Sequence, residues 1–188
     1  MRKIFSIVLL FAVMITVSTG CLKDKGFDDH TYGINSPETS PAGIGLPLAV
    51  TTQSYGLDLT GNAQTVSDIL VANLLAGKAA SSDIKVNLVM KPSLIADYNT
   101  ANGTSVIELP SSLYSLTSMT ITIKAGKTLG DVKINIPSTL TLDASITYGL
   151  GFSVSSVDAG YTIASNMKDL LITFNIKNKY DGVYQLKG

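Results

Sequence analysis

The sequence is short of charge, cysteine, histidine and tryptophan, and each shortage excludes a class of function. Charged residues make up 15% of the 188 residues, below the roughly 25% usual in soluble domains. Basic and acidic residues number 14 each, so there is no basic surplus to neutralise phosphates. One cysteine and one histidine exclude an internal disulfide, a Cys-rich zinc site and a multi-histidine metal centre. We therefore expect no metal, no cofactor and no nucleic-acid partner.

Residues 1–20 have the pattern of a secretory signal peptide. Arg2 and Lys3 precede an apolar run at residues 4–17, and three small residues follow at 18–20. A basic start, an apolar run and a small-residue cleavage site define such a signal. The run is shorter than the roughly 20 apolar residues of a comfortable membrane-spanning helix. Cleavage would remove two basic and no acidic residues, so the mature chain would be slightly acidic.

The only cysteine, Cys21, directly follows these small residues. The segment Ser-Thr-Gly-Cys resembles the bacterial lipobox, where signal peptidase II cuts before a cysteine that carries lipid. The usual Leu three residues before the cysteine is replaced by Ser18, with Val17 one place further out. The resemblance implies a diacylglyceryl group on Cys21, and two acyl chains hold a protein firmly on a membrane. The alternative is an unmodified thiol that follows an ordinary cleavage site.

Residues 21–45 are predicted to be the lipidated cysteine and a flexible tether. They are rich in Gly, Pro and Asp and show no periodic apolar pattern, which is typical of extended or disordered chain. Asp24, Asp28 and Asp29 either resemble the export signal of surface lipoproteins in Bacteroidetes or belong to a merely solvated linker. The single histidine, His30, lies here, so the following domain cannot contain a Ser-His-Asp triad.

Residues 46–177 are predicted to form one β-domain. Apolar and polar residues alternate with period two in five segments, near residues 84–90, 121–124, 132–136, 148–154 and 170–177. Such alternation indicates antiparallel strands around a shared core. Residues 46–51 and 55–60 are predicted as further strands. Residues 66–75 also fit helical spacing, but their neighbours favour a strand. Residues 92–99 are predicted to form one short helical turn that ends at Asn102-Gly103.

The predicted fold is therefore an all-β, immunoglobulin-like antiparallel β-sandwich of about seven to eight strands with one short helical turn. Tyr148 follows a turn at residues 142–144 and opens a strongly alternating strand, which resembles a tyrosine corner. The alternative is an ordinary tyrosine at the edge of the core. Phe152 and Phe174 are predicted to be core residues. Four other aromatic residues could pack at the edge of the core or line a binding surface: Tyr55, Tyr98, Tyr114 and Tyr161.

No catalytic residue is predicted. Lipid would block the thiol of Cys21, and residues 125–128 (Ala-Gly-Lys-Thr) lack the upstream glycine of a phosphate-binding loop, so we interpret them as a hairpin turn. Six carboxylates fall at predicted strand ends and turns: Asp83, Asp97, Glu108, Asp131, Asp143 and Asp158. A glycosidase needs a pair of carboxylates roughly 5–9.5 Å apart, which the sequence alone does not establish. We expect a protein that is not an enzyme.

Several short motifs together resemble a known family. In chain order they are Ala96-Asp97-Tyr98-Asn99, Leu109-Pro110-Ser111-Ser112-Leu113-Tyr114, Ile121-Thr122-Ile123-Lys124-Ala125-Gly126, Tyr148 and Asn178-Lys179-Tyr180-Asp181-Gly182-Val183-Tyr184. They resemble the N-terminal domain of unknown function in Bacteroidetes lipoproteins from polysaccharide-utilisation loci. That domain occurs in surface glycan-binding lipoproteins and ahead of surface endoglycosidases. The resemblance covers residues 46–188 and implies an immunoglobulin-like sandwich, but it assigns no ligand-binding residues.

The resemblance implies a non-catalytic surface lipoprotein domain that serves glycan binding or acts as a spacer in polysaccharide utilisation. It would be lipid-anchored in the outer membrane and exposed on the cell surface. Its expected partners are the membrane, an oligosaccharide or polysaccharide, and outer-membrane transport proteins. Residues 178–188 would be the start of a following module or a C-terminal tail. The alternative function is a fimbria-like or assembly subunit in which the tether or residues 170–188 donate a strand to a neighbour.

Overall fold

The computed structural model describes residues 42–75 and 79–177, which form a β-sandwich. The eleven strands are β1 Ala42–Gly45, β2 Gln53–Asp58, β3 Gln64–Leu74, β4 Ile84–Met90, β5 Ile107–Glu108, β6 Ser115–Leu116, β7 Thr120–Ile123, β8 Leu129–Ile136, β9 Tyr148–Val157, β10 Tyr161–Ile163 and β11 Asp169–Lys177. One α-helix, α1, spans Ser93–Asn102, and short 3₁₀ helices lie at Pro47–Val50, Ser111–Leu113 and Ser165–Met167. Within the described ranges, no helix has the length and apolar character needed to cross a membrane.

The strands form two sheets. Sheet A has the order β10-β1-β3-β8-β6, and sheet B has the order β2-β11-β9-β4-β7 with β5 beside β9. The predicted all-β sandwich is confirmed, but it has eleven strands rather than seven to eight. Three pairings (β1 with β10, β2 with β11, and β5 with β9) are parallel rather than antiparallel. β5, β6 and β10 have only two or three residues, too few to show alternation, and a period of two carries no information on strand direction.

The alternating residues of the long strands fill the space between the sheets. Leu150, Phe152 and Val154 of β9 are fully buried, as are Ile172 and Phe174 of β11. The two phenylalanines are thus core residues, as predicted. Burial of such apolar side chains supplies the main driving force for folding.

The tyrosine corner is also confirmed. The backbone N–H of Asp143 donates a hydrogen bond of 2.9 Å to the hydroxyl oxygen of Tyr148. Tyr148 is itself buried, so its ring packs in the core while its hydroxyl fixes the preceding turn.

The first part of the sandwich differs from the prediction. β1 pairs with β3 and β10, so residues 42–45 belong to sheet A and not to the tether. The sequence did not predict this strand, because Ala-Gly-Ile-Gly contains only one large apolar residue and so shows no alternation. That residue, Ile44, is fully buried. Residues 47–50 form a 3₁₀ helix rather than the predicted strand, with Pro47 in its first turn. The predicted signal peptide, Cys21, the rest of the predicted tether and residues 178–188 lie outside the described residues.

Residues 64–74 form the predicted strand rather than a helix. The helical spacing in its sequence reflects a bulge, since the register with β8 shifts between Val66 and Leu70. Asp68 lies within this bulge and has a φ of 59°, a left-handed conformation that Asp tolerates better than most residues.

The turn at residues 124–128 is not a hairpin, because β7 belongs to sheet B and β8 to sheet A. Gly126 has a φ of 77°, which favours glycine. Asp83 accepts hydrogen bonds from the Lys124 ammonium at 2.7 Å and from the Ala125 N–H at 3.0 Å. These bonds lower the pKa of Asp83. Alternation marks both strands, but it does not reveal whether consecutive strands pair in one sheet or face each other across the core.

Candidate functional site

Helix α1 lies on the outer face of sheet B, and two glycines of β9 allow it to approach. A Cβ atom at Gly151 would lie 2.2 Å from the carbonyl oxygen of Lys91, and one at Gly149 would lie 2.8 Å from Cγ1 of Val106. These distances are far shorter than van der Waals contact. The alternation of large residues with Gly149 and Gly151 in β9 therefore buries one face in the core and leaves the other bare for the helix. Ile95, Val106 and Leu171 form a small apolar cluster in this contact.

Helix α1 ends at Gly103, which has a φ of 64° and donates its N–H to the carbonyl oxygen of Asn99. The predicted stop at Asn102-Gly103 is confirmed, although the helix has ten residues instead of a single turn. The side chain of Asn99 then fixes the chain that follows. Its Oδ1 accepts bonds from Thr104 Oγ1 at 2.9 Å and the Val106 N–H at 2.8 Å, and its Nδ2 donates to the Val106 carbonyl at 2.8 Å. The segment at residues 104–107 is thus held rigidly beside β9.

A cleft of about 680 Å³ lies between this segment and strands β2 and β11. Serine and threonine supply seven of its twelve lining residues, and none of the twelve, all in the described part of the chain, is charged. The lining residues are Thr52, Ser54, Tyr98, Thr104, Ser105, Val106, Ile107, Ser145, Ile146, Thr147, Thr173 and Asn175. The volume falls in the range of roughly 300–1,000 Å³ typical of small-molecule sites.

Three side chains in the cleft are connected by hydrogen bonds across strands. The Thr147 hydroxyl donates to Oδ1 of Asn175 at 2.8 Å, and Nδ2 of Asn175 donates to Oγ of Ser54 at 3.0 Å. Because Ser54 accepts in this arrangement, its own O–H can donate to a ligand, and the side-chain amide of Asn175 has a second N–H. The cleft therefore presents oriented donors and acceptors without a formal charge.

A smaller cleft of about 250 Å³ adjoins the first, since Thr52 and Tyr98 line both. We call the two together the sheet B groove. The smaller cleft is also lined by Ala49, Val50, Thr51, Leu94, Asp169 and Leu171. Tyr98 therefore borders both clefts.

Asp169 is the only charged residue that lines the groove in the described ranges, and it is neutralised. Its Oδ2 accepts a hydrogen bond from the Lys91 ammonium at 2.5 Å. Partial burial alone would raise the pKa of Asp169, but the bond to Lys91 and its positive charge outweigh that effect, so the pKa lies below its usual value. The pair leaves the groove with no net charge.

The four tyrosines left open by the sequence lie in different parts of the domain. Among the four undetermined tyrosines, Tyr98 lines the groove, whereas the Tyr55 ring packs edge-on against Phe174 with centroids 6.5 Å apart. The Tyr114 hydroxyl contacts the sulfur of Met90, and Tyr161 lies in β10 beside β1.

Three of the six carboxylates singled out in the sequence accept hydrogen bonds in or beside turns, whereas Asp97 lies in α1, Glu108 in β5 and Asp131 in β8. Besides Asp83, Asp143 accepts from the N–H and hydroxyl of Ser145, which lowers the pKa of Asp143, and Asp158 accepts from the Lys85 N–H at 2.7 Å. Across residues 42–75 and 79–177, no three His, Cys, Asp or Glu side chains cluster as a metal site requires.

Sequence reasoning did not single out Ser54, Thr147 or Asn175. One signal was available, because the uncharged polar residues Thr173 and Asn175 of β11 alternate with the apolar core residues Ile172, Phe174 and Ile176. Only the strand order shows that these residues lie beside residues of β2 and of the turn before β9.

A family model described as an N-terminal domain matches residues 46–161. The chain belongs to this family. The resemblance drawn from the sequence motifs is thereby confirmed. Among curated proteins, none matches the chain significantly.

Solved structures share the fold at low identity. A candidate carbohydrate-binding protein from Bacteroides ovatus has a TM-score of 0.54 and 22% identity over 71% of this chain and 36% of its own. A multidomain protein from Bacteroides ovatus has a TM-score of 0.58 and 14% identity over 76% of this chain and 47% of its own. A two-domain protein of unknown function from Bacteroides fragilis has a TM-score of 0.52 and 17% identity over 73% of this chain and 46% of its own. The chain thus spans between a third and a half of the length of these structures.

Proposed function

We propose that this chain is a non-catalytic, lipid-anchored domain that binds glycan at the cell surface in polysaccharide utilisation. The observation that carries the proposal is the sheet B groove, with its rows of hydroxyls, its oriented amide at Asn175 and its aromatic ring at Tyr98. Sugars are polyhydroxylated and mostly uncharged, so they are recognised by such donors and acceptors together with an aromatic face. The likeness to a candidate carbohydrate-binding protein of Bacteroides ovatus supports the same class of ligand.

The contacts of the carboxylates support a non-catalytic role. Asp83, Asp143 and Asp158 accept hydrogen bonds from nearby backbone N–H groups. The carboxylate that lines the groove, Asp169, is bound to Lys91. General acid–base catalysis requires a proton donor or acceptor that faces a bound substrate. None of the six carboxylates singled out in the sequence lines the groove, and in Asp169 Oδ2 is bonded to Lys91 while Oδ1 is buried.

Attachment through Cys21 is the second part of the proposal, and it rests on the sequence. A diacylglyceryl group on Cys21 would place the domain in the outer membrane, within reach of transport partners there. The variant Cys21→Ala should yield protein that is soluble or keeps its signal peptide, as judged by membrane fractionation and by the mass of the N-terminal peptide. A cleaved Cys21→Ala protein that remained in the membrane fraction would show that the anchor is elsewhere.

Glycan binding is tested with the full chain, purified in detergent, on arrays and affinity gels of plant and host polysaccharides. We expect retention by at least one polysaccharide. If a folded protein is retained by none of them, glycan binding is refuted and the role of a spacer is left.

The alternative role as a strand-donating assembly subunit is weakened by one observation. β11 pairs with β9 on one side and β2 on the other. Residues 169–177 are therefore built into sheet B and are not available to a neighbouring molecule. Residues 178–188 and the predicted tether before residue 42 lie outside the described residues.

A further inference from the structure

The charge and shape of the sheet B groove bear on which glycans it accepts. Proteins that bind anionic sugars place Arg or Lys where a carboxylate or sulfate group will lie. Here the lining of the larger cleft has no charged residue among those described. Lys91, which forms an ion pair with Asp169 of the smaller cleft, is already engaged by that carboxylate. An anionic sugar would lose its hydration without gaining a counter-charge, which is unfavourable.

The groove is also elongated. Two clefts of about 680 and 250 Å³ share Thr52 and Tyr98, so the partly buried Tyr98 side chain borders both. A single pyranose ring would occupy only one of these clefts. An aromatic ring at a junction offers a stacking surface for one sugar, while the clefts on either side accept its neighbours in the chain.

The polar groups differ between the two parts. The larger cleft has the hydrogen-bonded series from Thr147 through Asn175 to Ser54. The lining of the smaller cleft mixes polar residues, among them Thr51 and Asp169, with apolar ones such as Val50. Hydrogen bonds in the larger cleft would fix the orientation of a sugar. In the smaller cleft, the exposed side chain of Val50 can contact the C–H face of a following unit.

We propose that the sheet B groove binds a neutral oligosaccharide of more than two units, in preference to an anionic one, across Tyr98. This inference rests on the proposed glycan-binding function and specifies its ligand. Asn175 anchors one unit by hydrogen bonds, Tyr98 stacks on the next, and the neutralised Lys91–Asp169 pair excludes anionic chains.

The test measures the affinity of the detergent-purified full chain for each probe by isothermal titration calorimetry. The neutral probes are cellohexaose, xylohexaose, maltohexaose and mannohexaose with the corresponding mono- and disaccharides, and the anionic probes are hexagalacturonate and a chondroitin sulfate hexasaccharide. We expect at least one neutral hexasaccharide to bind about tenfold or more tighter than its disaccharide, and the anionic probes to bind more weakly.

Four variants locate the site. Asn175→Ala should weaken binding of the neutral hexasaccharide about 3- to 10-fold, the value of one or two lost hydrogen bonds. Tyr98→Ala should weaken it about tenfold, and Tyr98→Phe, which keeps the ring, should restore most of it. The matched control is Asn135→Ala, because Thr65 Oγ1 donates to Oδ1 of Asn135 at 3.0 Å in the same kind of cross-strand pair on sheet A. It should leave binding unchanged.

A fifth variant tests charge selectivity. Asp169→Asn removes the anion that neutralises Lys91, so binding of hexagalacturonate should strengthen about threefold or more at low salt. If the protein binds a glycan but prefers anionic probes, this inference is overturned while the proposed function stands. The same holds if the affinity for the neutral hexasaccharide is unchanged by Tyr98→Ala and Asn175→Ala. If no probe and no polysaccharide binds the folded protein, both are overturned.

Discussion

The replacement of Gly151 by alanine should destabilise the domain, because it pushes helix α1 off sheet B. The added Cβ would lie 2.2 Å from the carbonyl oxygen of Lys91 and 3.3 Å from the Cβ of Leu94. To reach even 3.0 Å, the backbone at Lys91 must move by about 0.8 Å. The Lys91 N–H meanwhile donates to the Gly151 carbonyl at 2.8 Å, so the two backbones are bonded where the clash occurs.

The magnitude follows from three effects. Overpacking of a close contact costs about 1–3 kcal/mol, and weakening the Lys91–Gly151 bond costs about 0.5–1.5 kcal/mol. Alanine also lowers the conformational entropy of the unfolded chain, which stabilises the folded state by about 0.4–1 kcal/mol. We expect a net loss of about 2–3 kcal/mol in the free energy of unfolding, or roughly 6–12 °C in Tm for a domain of this size.

The assay is urea unfolding of the purified full chain followed by circular dichroism, since the sequence has no tryptophan. The matched control is Gly43→Ala in β1, where a Cβ would meet Leu75 Cδ1 at an ordinary 3.5 Å. That variant should match the wild type or exceed it by up to about 1 kcal/mol. If Gly151→Ala lowered the free energy of unfolding by less than about 0.5 kcal/mol with an unchanged m value, the close packing of the helix against β9 would be refuted.

Three further predictions concern hydrogen bonds and charge. Tyr148→Phe should cost about 1–2 kcal/mol, because the Asp143 N–H loses its acceptor; a cost near zero in urea unfolding would remove the tyrosine corner from the stabilising contacts. Asn99→Ala should cost about 2 kcal/mol and raise amide hydrogen exchange at Val106, whose N–H and carbonyl both bond to Asn99; unchanged exchange would contradict this. Asp169 has a folded-state pKa below its unfolded value of about 3.9, so its contribution is complete above that value and is lost as pH falls through the folded pKa. The stability difference between wild type and Asp169→Asn should therefore be constant near neutral pH and shrink below about pH 4, and a difference that persists at the lowest pH would show that the charge of Asp169 is not its source.

The sequence predicted the long strands well, since their pattern is set by burial. In β11, the alternation of Ile172, Phe174 and Ile176 with Thr173, Asn175 and Lys177 arises because one face packs against the core. The short strands gave no comparable signal, because β1 has one large apolar residue and β5 has two residues in all. Pairing of β2 with β11 joins residues more than a hundred positions apart, and no local pattern encodes it.

Helix α1 shows a second limit. Its sequence predicts only one turn, and in the structure Ile95 alone is buried among its ten residues, so the helix lacks the apolar stripe of a typical amphipathic helix. Its stability comes instead from Pro92 at its start, Gly103 at its end and the bare strip of β9 on which it rests. The evidence for the helix therefore lies as much in Gly149 and Gly151, over forty residues later, as in the helix itself.

The same reasoning explains why the groove was hard to predict although its parts were visible. Period-two alternation tells which residues of a strand face outward, but a site requires outward residues from several strands to be neighbours. Ser54, Thr147 and Asn175 become neighbours because β2 adds to the edge of sheet B in parallel to β11, a choice that hydrophobic patterning leaves open. Helix α1 then closes the other side through Tyr98, at a distance set by two missing side chains in β9. A strand that alternates large apolar residues with glycine therefore marks an outer face that another element covers, and uncharged polar residues on the next strand are the place to look for a ligand.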